Sequence, residues 1–209
     1  MMNRFEQAVY DCMKPTEALL AQTTNKLHRK ILLNFWRHVH LEGAGLYDQI
    51  CRDDMMVAHP VYRVTWGANP AVLEGRDAVL AFYNSVGDVV LWNSDDRIAV
   101  ADWGVADELT FNLLGLGAIM QAIGYNVPDP HKFYHVQSRQ AFIWPYDSNA
   151  KLAGEHLYED KTSLKWEEVD ESELTTPARV QAIQKELLGQ LHDRFGENFW
   201  VYEAETTAA

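Results

Sequence analysis

The 209-residue chain is short of cysteine, of positive charge and of long apolar runs, and each shortage narrows the field. Its two cysteines, Cys12 and Cys51, stand alone without metal-ligand or redox spacing. Isolated thiols of this kind suit a reducing cytoplasm better than a disulfide-stapled secreted domain. Lys and Arg number 18 against 30 Asp and Glu, a formal net charge of −12. No nucleic-acid partner is expected, because phosphate backbones are held by clustered cations. No run of residues approaches the roughly 18 apolar positions that cross a bilayer, and the first residues lack a signal peptide's apolar stretch, so no membrane partner is expected. There is no P-loop, nucleophile elbow, CxxC or HExxH, and Gly115-Leu116-Gly117 lacks the third glycine of a dinucleotide fingerprint. His38 and His40 on one helix point to nearly opposite sides, and Glu155-His156 on one strand face opposite ways. The expectation is no metal and no cofactor; His59 with Glu155 and a third ligand is the one conceivable metal site.

Aromatic residues, by contrast, are plentiful: 7 Trp, 9 Tyr and 8 Phe make up 11% of the chain. A core alone does not need so many rings, so some are expected to line a cavity. Leu20, Leu27, Ile31 and Phe35 recur at helical spacing, predicting one long helix over 16–41, then a short one over 46–51. Residues 56–65 read as extended and 66–75 as a loop. A third helix covers 76–85. Residues 89–92, 97–113, 132–144 and 151–161 are rich in β-branched and aromatic side chains and read as strands. The stretch 114–130, with three glycines and two prolines, is long for a connection and suits a lid or binding loop. Val180, Ile183, Leu187, Leu191 and Phe195 space out a last helix started near Thr176-Pro177. Helices first and an antiparallel meander afterwards predict an α+β fold.

The order of parts resembles the nuclear transport factor 2-like (NTF2-like) superfamily, its SnoaL-like and ketosteroid isomerase-like branch. Asp53-Asp54-Met55-Met56-Val57-Ala58-His59-Pro60-Val61-Tyr62 followed by Gly75-Arg76-Asp77-Ala78-Val79-Leu80-Ala81-Phe82-Tyr83 carries that resemblance, with the two strands around Phe142-Ile143-Trp144-Pro145 and Gly154-Glu155-His156-Leu157. It implies a cone: a curved antiparallel sheet wrapped round N-terminal helices, with a C-terminal helical extension. Residues 1–165 would form this domain and 166–209 an acidic connector and helix. The resemblance also implies that His59 occupies the position of the isomerases' proton-abstracting carboxylate. Their tyrosine donor would fall near Phe35 or Trp36 and their protonated aspartate near Phe142, so both are missing here and steroid isomerisation is not expected.

Side-chain alternation adds a second candidate. A two-residue turn at Ser148-Asn149 would set Trp144 opposite Ala153, Phe142 opposite Glu155 and Gln140 opposite Leu157. Glu155 would then be a carboxylate in an apolar face, the usual preparation of a general acid or base; a one-residue slip would turn it to solvent. Arg63 shares the side of His59 under simple alternation and could hold an oxyanion or pair on the surface. Asp102 and Glu108 share parity, with Gly104 a possible bulge. Tyr47 reaches the cone's mouth or packs between helices. The expected machinery is therefore His59, Glu155 and Arg63, with substrate held by Phe35, Trp36, Tyr47, Phe82, Trp103, Gln140, Phe142 and Trp144. The expected activity is a cofactor-independent lyase, by elimination or deformylation-type cleavage, on a hydrophobic, aromatic and hydroxylated small molecule such as a lignin-derived diaryl compound. The alternatives are a non-catalytic module binding a ligand or protein and a SnoaL-like isomerase or cyclase. A cytoplasmic homo-oligomer, dimer or trimer, completes the expectation.

Overall fold

A computed structural model of the chain describes residues 2–68, 70–85 and 89–202. The outer ends of the two expected segments, residue 1 and residues 203–209, lie outside the described residues.

Three helices open the chain: α1 (Arg4–Asp11), α2 (Lys14–Gln22) and α3 (Lys26–Gly43). The single helix expected over 16–41 is therefore cut. The Thr23 side chain donates back to the Leu19 carbonyl, and the Asn25 side chain accepts from the His28 amide, starting α3 afresh. Short polar side chains that bond their own backbone compete with helix continuation. α1 was not anticipated; Asn3 caps it by accepting from the amides of Phe5 and Glu6. α4 (Tyr47–Ile50) is the expected short helix.

β1 (Met56–Val64) runs through Pro60. The region expected as a loop contains β2 (Ala71–Glu74), which pairs with β1 in antiparallel fashion. α5 (Arg76–Ser85) follows as read. The strand expected over 97–113 is two: β3 (Val90–Ala101) and β4 (Gly104–Leu116) form a hairpin about Asp102-Trp103. Gly104 makes that turn, with φ of +141° and room for no side chain, because a Cβ there would lie 2.0 Å from the Trp144 carbonyl oxygen. The expected long loop begins inside β4 and carries α6 (Gly117–Ala122). β5 (Phe133–Pro145), β6 (Leu152–Val169) and α7 (Pro177–Phe195) complete the chain.

The sheet order is β2-β1-β6-β5-β4-β3, an open sheet. It is not wholly antiparallel as expected: β1 and β6 run parallel. Register shifts interrupt the β1/β6, β3/β4 and β5/β6 pairings, and such bulges bend a sheet. The α+β class with a curved sheet, N-terminal helices and a C-terminal helix is the architecture expected. The main core lies between the inner sheet face and the helices, and Val180, Ile183 and Leu191 of α7 share it.

The β5/β6 register differs from expectation by two residues: Phe142 pairs with Leu157 and Gln140 with Glu159. The turn is a residue longer than expected, with Asp147 and Lys151 closing it and Ala150 at φ +57°. Leu152 pairs with Tyr146 and His156 with Ile143, so β6 carries one extra residue between the pairs. Two one-residue changes restore the parity, and Glu155 stays on the face of Phe142 and Leu157.

Candidate functional site

A cavity of about 90 Å³ lies between α3, α5 and the inner face of the sheet. Strands β4, β5 and β6 contribute alternate positions, and β3 the consecutive Leu91, Trp92 and Asn93. Leu109 and Phe111 of β4, Phe142 and Trp144 of β5 and Leu157 of β6 line it, and Asp107 and Glu155 stand in the same rows. Phe35 and Glu42 of α3, Phe82 and Tyr83 of α5, Trp92 of β3 and Trp66 close it, with Cys12, Asn93 and, from α7, Gln184 also in the lining. No Lys, Arg or His is among the described lining residues, so three carboxyl groups share an apolar space without a cation.

Burial is the first reason the Glu155 carboxyl titrates well above the ordinary carboxylate range; the negative charges of Glu42 and Asp107 push the same way, against a lowering hydrogen bond from Tyr83. Asp107 is raised by burial and then by Asp96, against the indole of Trp144, whose Nε1 donates to Oδ1 over 3.0 Å. The other Asp107 oxygen is buried with no protein partner. Each group therefore favours its neutral form more than an exposed carboxyl does.

Behind Glu155 stands a hydrogen-bonded cluster. The Tyr83 hydroxyl donates to Glu155 Oε2 at 3.4 Å and lies 3.0 Å from His38 Nε2 and 3.1 Å from the Tyr62 hydroxyl. A hydroxyl has one proton to give and two lone pairs. With its proton toward Glu155, Tyr83 accepts from both His38 Nε2–H and Tyr62. His38 is then the Nε2–H tautomer, and its Nδ1 is buried without a partner. Burial raises both tyrosines well above their usual range, so they remain donors.

The structure brings Glu155, Phe35, Phe82, Phe142 and Trp144 to one cavity. It corrects the placement of His59 and Arg63: both are exposed on β1, whose buried positions are Met56, Pro60, Tyr62 and Val64. Alternation does put the two on one side, but it is the side opposite the buried Met56, Pro60, Tyr62 and Val64, and it faces outward. Trp36 is buried elsewhere, against Phe195, with its Nε1 donating to His40 Nε2. Tyr47 stacks on Tyr83 at 5.5 Å behind the cavity wall. Trp103 is exposed in the β3–β4 turn. Gln140 is buried and donates to Ser138 outside the lining. Asp102 pairs with His28 and Glu108 with Arg139, both away from the cavity. Among the described residues no group of three His, Cys, Asp or Glu is placed to hold a metal ion.

Asp107, Tyr62, Tyr83, His38 and Trp66 were not anticipated. Asp107 carried the same signal as Glu155, a lone acid in the apolar alternation Val105, Leu109, Phe111, Leu113. No protein family and no curated protein matches the chain. Solved structures do. An epoxide hydrolase/cyclase-like enzyme of pyran-ring formation in salinomycin is 15% identical over 66% of this chain and 93% of its own, with a TM-score of 0.42. An NTF2-like protein from Burkholderia xenovorans LB400 is 11% identical over 65% and 93%, at 0.44. A candidate SnoaL-like polyketide cyclase from Jannaschia sp. CCS1 is 14% identical over 66% and 91%, at 0.45. The likeness of this chain to NTF2-like and SnoaL-like proteins is one of fold.

Proposed function

We propose that the chain is an acid/base enzyme that relocates a proton on a small, apolar, carbonyl-bearing molecule, in the manner of an isomerase or cyclase. The observation that supports this reading most is the pairing of Glu155 and Asp107 in one apolar cavity with different partners. The indole donor favours the ionised form of Asp107, and once Asp107 is charged it opposes ionisation of Glu155. Asp107 is then the base and Glu155 the acid. Asp107 takes a proton from the carbon beside the carbonyl, while the Glu155 O–H donates to the oxygen on which negative charge collects. The electron pair of the broken C–H bond becomes the enolate. The enolate either regains a proton at another carbon, giving an isomer, or attacks a second carbonyl of the same molecule, closing a ring. Neither course needs an oxidant or reductant.

A lyase reaction uses the same first step, with loss of a leaving group from the neighbouring carbon. The version that relied on His59 and Arg63 is not carried forward, because both are outside the cavity. Exchange of α-protons of small ketones with deuterium oxide, followed by NMR, tests the proposal. Exchange lost in Asp107→Asn and Glu155→Gln supports it. Exchange unchanged in both variants, or no exchange by the wild type with any ketone that binds, favours a binding module.

A further inference from the structure

A second cavity, of about 440 Å³, adjoins the first and is lined by Val64, Ala71, Val89, Ile119, Ala122 and Ile123 among others. Two residues, Trp66 and Phe82, belong to both linings and form the partition between the cavities. Each is half-buried. Trp66 is not positioned by packing alone: its Nε1 donates to the Tyr125 hydroxyl, which donates to Glu159 Oε1 at 2.9 Å, and the Gly67 amide donates to the other Glu159 oxygen. The indole plane at the partition is therefore set by a chain of hydrogen bonds anchored on β6.

The volumes decide what the inner cavity can take. An engineered apolar cavity of about 150 Å³ holds one benzene ring. The inner cavity, at about 90 Å³, leaves no room for a second ring beside Glu155, so a longer molecule must extend past its lining. Across the shared residues Trp66 and Phe82 lies the larger cavity, whose lining is mainly apolar, with Gly67 and Ser85 among it.

We propose that this second cavity is a subsite for the distal apolar half of the substrate, which would be a two-ring or chain-extended molecule bridging past Trp66 and Phe82. This rests on the proposed reaction only in placing the reacting carbonyl beside Glu155.

Isothermal titration calorimetry of the full chain with phenol and with 4-benzylphenol tests it. Ala122→Trp, at an exposed position of α6, and Ala71→Trp, on β2, each place a ring in the second cavity. Loss of a buried ring's contact area predicts that 4-benzylphenol binding weakens at least about tenfold in either variant while phenol binding stays within about twofold. Unchanged 4-benzylphenol affinity in both variants, or equal weakening of both probes, overturns the proposal. Repeating the titrations in Glu155→Gln separates the two readings: the preference for 4-benzylphenol, and its loss on filling the cavity, persist if the subsite exists, whatever the fate of the acid/base proposal.

Discussion

The indole of Trp144 donates to one oxygen of Asp107 over 3.0 Å, and the second oxygen of that buried carboxyl has no protein partner. An unpartnered buried oxygen costs about 1–3 kcal/mol, a cost that a bound substrate proton would remove. Asp107→Asn keeps an acceptor for Trp144 but removes the basic oxygen. The expected result is a loss of about a hundredfold or more in proton exchange on a bound ketone, with ligand affinity little changed, measured by exchange rate and calorimetry on the same samples.

Both cavity carboxyls titrate above their unfolded values. In the folded state they hold protons that the unfolded chain releases above the ordinary carboxylate range, so their contribution to stability is complete at acid pH. It is lost as pH rises toward the folded values, by up to about 1.4 kcal/mol per pH unit for each group. Glu155→Gln and Asp107→Asn should therefore flatten the fall of stability with rising pH and raise the denaturation midpoint at pH 8 relative to wild type. Urea titrations at pH 5, 6.5 and 8 measure this.

His40 has the opposite sign. It accepts from Trp36 Nε1 and its Nδ1 bonds Gln184 of α7, and burial lowers its pKa to about 4. The unfolded imidazole takes up a proton below about pH 6.5, which the folded one does not. Stability should fall between pH 6.5 and 4 by up to about 3 kcal/mol from this group. His40→Gln should lessen that slope at some cost in stability at pH 7, as thermal melts across the range would show.

Tyr83→Phe removes one hydroxyl that serves His38, Tyr62 and Glu155. Leaving those partners buried without it should destabilise the fold by about 1–3 kcal/mol. Because the Tyr83 hydrogen bond lowers the Glu155 pKa, the variant should also hold the Glu155 proton to higher pH. Denaturant midpoints and a titration of the carboxyl signal measure the two effects separately.

The fold was legible in the sequence where local chemistry decided it. The helix over Arg76–Ser85 and the extended run from Met56 are read from spacing alone. The break before Asn25 and the turn at Asp102-Trp103 were not, because the flanking apolar periodicity runs on through both. In the site, Glu155 was found from alternation, and the two-residue register error left its face unchanged. His59, placed by resemblance, lies on the exposed side of β1, because the inward parity of that strand belongs to Met56, Pro60, Tyr62 and Val64. Tyr83 of α5 and His38 of α3 meet through their side chains across 45 residues of sequence, a contact that no local pattern encodes.

The central claim is that Glu155 is a neutral acid in the cavity at pH 7. The infrared difference spectrum of wild type minus Glu155→Gln at that pH reads it directly. The account predicts the carbonyl stretch of a protonated carboxyl among the bands lost with Glu155. Loss of the paired carboxylate stretches instead would show an ionised Glu155 and contradict it.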